Sequence, residues 1–153
     1  MMSAPSLAAE AAGFTIDRET HAIRFVRDFA AAPATVFEAW TTPEHMTLWW
    51  DAGGKPLTRC EIDLRVGGKF TFVSPSHAHM AFTGTYERIE PPHLLVFEAN
   101  GATGKVMLAD HAGGTRMTVE IVCRSEEHLD EYIRLGVANG TSRTLDNLVA
   151  HLA

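Results

Sequence analysis

From Leu57 to Arg124 the chain passes through one short apolar run after another, each closed by glycine, proline or asparagine. Strands that follow so closely leave no room for crossover helices, so they must pair as an antiparallel meander. The runs are Leu57–Leu64, Lys69–Val73, Met80–Glu90, His93–Ala99, Lys105–His111 and Thr115–Arg124. Between them lie Arg65-Val66-Gly67-Gly68, the polar loop 74–79, Pro91-Pro92, the stretch Asn100–Gly104 and Ala112-Gly113-Gly114. The two prolines end their strand firmly, because neither donates a ladder hydrogen bond. A further strand, Ile23–Phe29, precedes the meander, with Ile23, Phe25 and Phe29 on one face. Arg27 falls on that apolar face, where its stem can pack while its head reaches water or a carboxylate.

Helices flank the meander on both sides. Pro33 suits a first helical turn, and Val36, Phe37 and Trp40 then share one face. Thr42-Pro43 restarts a second short helix, with Thr42 at the N-cap, and Asp51-Ala52-Gly53-Gly54 stops it just after Trp49-Trp50. After Ser125, an N-cap followed by Glu126-Glu127, helical spacing of Leu129, Ile133, Val137, Leu145, Leu148 and Leu152 runs to the end without proline. This predicts one helix of roughly 28 residues, on the order of 40 Å. Gly136 and Gly140 interrupt it at a cost of up to ~1 kcal/mol each, which calls for close packing or for room beneath the helix.

The element order predicts an α+β fold: a curved antiparallel sheet of about seven strands, wrapped on the long C-terminal helix, with two short helices between the first two strands. Residues 1–20 read as a flexible tail, with a nascent helix over Leu7–Ala12, and 21–153 as a single domain. The tail lacks the basic and long apolar segments of a secretory signal, and no apolar run is long enough to span a bilayer. A net charge of −6 with no Lys/Arg cluster argues against nucleic acid and anionic membranes as partners. Cys60 and Cys123 form no disulfide or metal pattern, which fits a reduced, cytoplasmic protein with structural thiols.

VFEAWTTPEHMTLWW, DLRVGGKF, GTYERIEPPHLLVFE and GGTRMTV together resemble the heat-shock protein 90 ATPase activator homologue family, from about Ile23 to Leu152. The resemblance implies the START-like (SRPBCC) superfamily and its helix-grip fold, whose members hold hydrophobic small molecules and in some cases act as cyclases or hydrolases. The family's co-chaperones carry a further N-terminal docking domain. Only about 20 residues precede the first strand here, so a chaperone partner is not expected. Relatives often place a tryptophan after the glycine of the last helix; Val137 stands there in this chain, which implies a reshaped pocket.

The expected function is binding of a small hydrophobic or amphipathic ligand between the sheet and the C-terminal helix, lined by Trp49, Trp50, Phe72, Phe82, Phe97 and Tyr132. Gly136 and Gly140 would make room. Phe70, Tyr86, Met80, Met107 and Met117 belong to the same aromatic and methionine lining of a sheet face, for which core is the plainer reading. Adjacent helical residues face apart, so at most one of Trp49 and Trp50 is fully buried; the other would offer its N–H at the mouth. His77 and His79 lack a third ligand, so no metal is expected, and no cofactor motif occurs. His45, His93, His111 and His128 are expected on the surface. Glu98 and Glu120 could act as acid or base only if they pointed inward. No nucleophile–base arrangement is legible and no catalytic residue is assigned; a cyclase-like enzyme and a protein-interaction module related to the co-chaperone remain the alternatives. A homodimer is left open.

Overall fold

Every neighbouring pair of strands in the one eight-stranded sheet of the described residues is antiparallel. The computed structural model describes residues 13–153. In chain order these form β1 (Thr15–Asp17), β2 (Ala22–Phe29), α1 (Pro33–Thr41), α2 (Pro43–Trp49), β3 (Arg59–Ile62), β4 (Lys69–Val73), β5 (Phe82–Glu90), β6 (Leu94–Ala99), β7 (Ala102–His111), β8 (Gly114–Val122), α3 (Glu126–Arg134) and α4 (Val137–His151). The sheet order is β1-β2-β8-β7-β6-β5-β4-β3, an α+β architecture with the helices on one face.

The sheet has one strand more than the expected seven, because β1 pairs with β2 within the stretch read as a tail. The remainder of that expectation, including the helix at Leu7–Ala12, lies outside the described residues. The Asn100-Gly101 turn is also tighter than expected. Both residues take positive φ (54° and 79°), and Ala99 pairs directly with Ala102. This is the two-residue geometry that matches the twist of adjoining strands. Ala112-Gly113 repeats it between β7 and β8, with φ of 50° and 83°. In β5 the register shifts between Tyr86 and Arg88, so the strict alternation read across Met80–Glu90 ends at Tyr86.

The long C-terminal helix is two helices. Gly136 adopts φ 78°, a left-handed conformation that stops α3 and starts α4 on a new axis. The Leu135 N–H closes α3 on Glu131 O, and Gly140 N bonds back to Gly136 O in the first turn of α4. The Ser125 cap is as expected: its hydroxyl accepts from the His128 N–H at 3.1 Å. Thr42 occupies the cap position of α2 with extended backbone, but its side chain makes no capping bond.

α4 lies against β2, α1 against β7 and β8, and α2 against β3 and α4. Ile23, Phe25, Met117, Leu145 and Leu148 are fully buried in one cluster with Trp49 and Met46. Each such side chain contributes about 1.5–3 kcal/mol relative to exposure. Arg27 reaches from the apolar face of β2 to α4, where Nε meets Asp146 at 2.9 Å and a terminal nitrogen donates to Ser142 Oγ at 2.9 Å. The carboxylate partner resolves its place on an apolar face.

Candidate functional site

Nine side chains close around a gap between the two short helices and the far half of the sheet: Trp40, Met46 and Trp50 above, and Phe70, Phe72, Phe82, Tyr86, Leu95 and Phe97 below. The gap measures about 10 Å³, room for at most one water, whereas pockets for small organic ligands run to roughly 300–1,000 Å³. At rest the chamber is closed. Its position differs from the expectation as well, for no residue of α3 or α4 lines it.

The sheet supplies rings because glycines lie beneath them. Phe97 sits opposite Gly104, where an added Cβ would come 2.5 Å from its ring atoms. Phe70 covers Gly84 in the same way. Phe70 then meets Phe72 at 5.0 Å, Tyr86 at 5.2 Å and Phe97 at 5.4 Å between ring centres. Trp50 completes the cluster, 5.1 Å from Phe72 and 5.3 Å from Phe82. Of the nine, only Trp50, Phe82 and Phe97 are half-buried, so these three form the mouth.

The three indoles have different fates. Trp49 is fully buried and donates to Ala39 O at 3.0 Å, and Trp40 donates to Met117 Sδ at 3.3 Å. The Trp50 N–H makes no hydrogen bond among the described residues, and neither does the Tyr86 hydroxyl, although Tyr86 is 97% buried (3% exposed). No fully enclosed side-chain nitrogen or oxygen lacks a partner, so both of these donors keep contact with solvent. Burial pushes the Tyr86 phenol up, with the Cys60 thiol adding to the effect, so the group stays protonated and remains a donor.

The end of α2 is pinned beside this mouth. Thr144 Oγ1 donates to Trp50 O at 3.2 Å, and Asn147 Nδ2 to Asp51 O at 2.8 Å. Asp51, read from sequence only as part of a helix stop, is buried and accepts from the Ser74 hydroxyl, from Ser76 N at 3.3 Å and from Lys55 N at 3.1 Å. Burial alone would raise its carboxyl. The Ser74 and Ser76 hydrogen bonds and the Lys55 N–H outweigh that and hold it down at about 2. Asp51 thereby ties the loop before β5 to the helix that carries Trp50.

Of the eight predicted lining residues, Trp50, Phe72, Phe82 and Phe97 meet at the chamber. Trp49 lies behind them in the core. Tyr132 is elsewhere, its ring 4.5 Å from His128 and its hydroxyl donating to Asn100 O at 3.4 Å. Gly136 and Gly140 are not among the chamber's lining residues; a Cβ on either would meet nothing within 4 Å, and Gly136 serves the helix break. Val137 is likewise outside the lining.

Two histidine expectations also change. His128 is buried, its Nδ1 accepting from Arg124 N at 3.1 Å, and half-buried His45 places Nδ1 2.8 Å from His151 Nε2. Glu120 pairs with Arg24 at 2.8 Å and Glu98 accepts from Gly101 N at 2.9 Å, so neither carboxylate faces the chamber. Asp63 and Arg65 pair at 2.9 Å beside the Gly67-Gly68 turn. Among the described residues no three His, Cys, Asp or Glu side chains gather in a metal-binding group, and no helix is long and apolar enough to cross a membrane.

Residues 30–153 match the family model described as Activator of Hsp90 ATPase homolog 1-like protein. Solved structures share the fold. The crystal structure of protein Ms6760 from Mycobacterium smegmatis superposes with a TM-score of 0.78 at 22% identity, over 90% of this chain and 94% of that one. A solution structure of a protein from Arthrobacter aurescens gives 0.80 at 22% identity, over 91% and 90%. That of an AHSA1-like protein from Aeromonas hydrophila gives 0.66 at 24%, over 84% and 90%. No curated protein matches the chain.

Proposed function

The chain belongs to the Activator of Hsp90 ATPase homolog 1-like family, and from that premise we propose that it takes up a small apolar or amphipathic molecule in the aromatic chamber beneath α1 and α2. The observation that carries this reading is an aromatic and apolar lining of nine side chains whose mouth is formed by the half-buried Trp50, Phe82 and Phe97. The START-like fold supports the same reading, since such folds commonly hold hydrophobic ligands.

Uptake requires the mouth to open. Thr144 and Asn147 pin the backbone around Trp50, and Asp51 pins Ser74 and Ser76. The remaining freedom lies with the Phe82 ring, the Phe97 ring and the loop carrying Met80, whose side chain is well exposed. Binding is favoured over chemistry, because the one titratable side chain of the lining, Tyr86, is kept protonated by burial. Native mass spectrometry of protein purified from its native host, paired with thermal-shift screening of apolar compounds, tests the reading. A bound mass or a stabilising compound that is lost in a Phe82→Trp variant supports it. Absence of both across a broad panel contradicts it.

A further inference from the structure

Resting on that reading, we infer that the contact between His45 and His151 is an acid-released latch on α2, the helix that brings Met46 and Trp50 to the chamber. α4 carries Thr144, Asn147 and His151 three and four residues apart, which places them along one face, and each meets the α2 segment. Just past the end of α2, Thr144 Oγ1 donates to Trp50 O and Asn147 Nδ2 to Asp51 O. At its other end, His45 Nδ1 lies 2.8 Å from His151 Nε2, with the rings edge to face. His45 directly precedes Met46, which is buried in the chamber's lining. The Thr144 hydroxyl and the Asn147 amide carry no titratable proton in this range. Of the three fastenings, only the histidine pair answers to pH.

Two neutral imidazoles, or one neutral and one charged, hold a hydrogen bond, because one nitrogen donates and the other accepts. Two imidazolium rings present donors alone, and their like charges repel at that distance. From α1, the Glu38 carboxylate lies 3.9 Å from His45 Nε2, the other nitrogen of that ring, and offers the charged His45 an opposite charge away from His151. Burial, and then His45, keep His151 below its ordinary 6.5. The latch is therefore whole at neutral pH and lets go as the pH falls below that value. The Asp51 carboxyl beside the mouth, held at about 2, stays ionised throughout, so mild acid leaves that pin in place.

The test uses the full chain at pH ~7.5 and pH ~5, a range that brackets the ordinary histidine value. Two readouts are taken: amide hydrogen exchange of α2, corrected for the intrinsic effect of pH on exchange, and the association rate of Nile red. At the lower pH, α2 loses protection and Nile red enters about five-fold faster, the factor that follows from losing one hydrogen bond. His45→Gln and His151→Gln, whose amides take up no charge, each hold both readouts level between the two pH values, whether the replacement keeps the latch or loses it. Unchanged α2 protection in the parent overturns the inference and leaves the chamber reading standing. So does a pH response that persists undiminished in both variants, or loosening of α2 without faster entry of Nile red. Nile red bound at neither pH overturns both.

Discussion

Beneath α4, Ile23, Phe25, Leu145 and Leu148 close on one another completely, and the one charged side chain on that face, Arg27, meets Asp146 and Ser142. Beneath α1 and α2 the same sheet presents rings propped over glycines and a mouth of three half-buried aromatics. The first region is sealed by the protein's own groups; the second keeps a gap of about 10 Å³ among its rings. Aliphatic side chains interdigitate to crystal-like density. The rings of the second region meet at stacked and tilted angles, Phe70 on Phe72 at 28° and Trp50 against Phe82 at 40°, and leave a small gap that the aliphatic region lacks.

The largest expected effect sharpens that contrast. Phe25→Ala costs about 3–5 kcal/mol, the usual range for emptying a sealed aromatic site, while Phe82→Ala costs about 1–2 kcal/mol because its ring is already half exposed. Urea denaturation of both variants measures the gap, and equal losses would break the comparison. The Phe82→Ala protein also binds Nile red more tightly than the parent.

Next comes the pin beside the mouth. The Asp51 carboxyl sits at about 2 in the folded protein against its ordinary 3.8, so the stability it contributes is complete above pH ~4 and is lost as pH falls through 2. Asp51→Asn costs about 2 kcal/mol at neutral pH, and the difference from the parent shrinks toward zero by pH 2. Denaturation midpoints across that range read it directly, and a gap that persists undiminished at pH 2 would reassign the role of Asp51 to packing.

Gly104→Ala has a smaller and more local effect. The new methyl meets the Phe97 ring, so about 1–2 kcal/mol of stability is lost by overpacking and Phe97 is displaced from the mouth. Nile red uptake rises with it. A variant that keeps full stability and unchanged uptake would mean that the ring does not depend on the glycine beneath it.

The smallest effect lies at the helix junction. Burial, and then the nearby His45, keep His151 below its ordinary 6.5. Its contribution is therefore present in full above pH 6.5 and declines as pH falls below that value. Glu38, whose carboxylate is 3.9 Å from His45 Nε2, moderates the change. His151→Gln flattens the stability profile between pH 5 and 7, measurable as melting temperature, and an unaltered profile would place the titration elsewhere.

Much of the scaffold was legible before any coordinates. Turn residues and period-2 runs delimited seven of the eight strands, and Pro33 and Pro43 marked both short helices. β1 escaped because three residues following a low-complexity start carry too little pattern to register. The break at Gly136 escaped for a different reason: the apolar spacing continues across it, and only the left-handed backbone reveals that the glycine punctuates the helix. The site was half legible. Trp50, Phe72, Phe82 and Phe97 are aromatic residues near the sheet's far edge, and composition alone pointed to them. Tyr132, Gly136 and Gly140 were chosen on the assumption that the cavity lies under the C-terminal helix, a question of tertiary placement that no local pattern decides.

Three tryptophans give three indole N–H signals in a nitrogen–proton correlation spectrum, and they report the central claim residue by residue. On titration with 2-acetylnaphthalene, the account predicts a large shift of the Trp50 signal and little change at Trp49, with the methyls of Leu145 and Leu148 undisturbed. A spectrum in which Trp50 stays still, or in which the Leu145 and Leu148 methyls move instead, would contradict it.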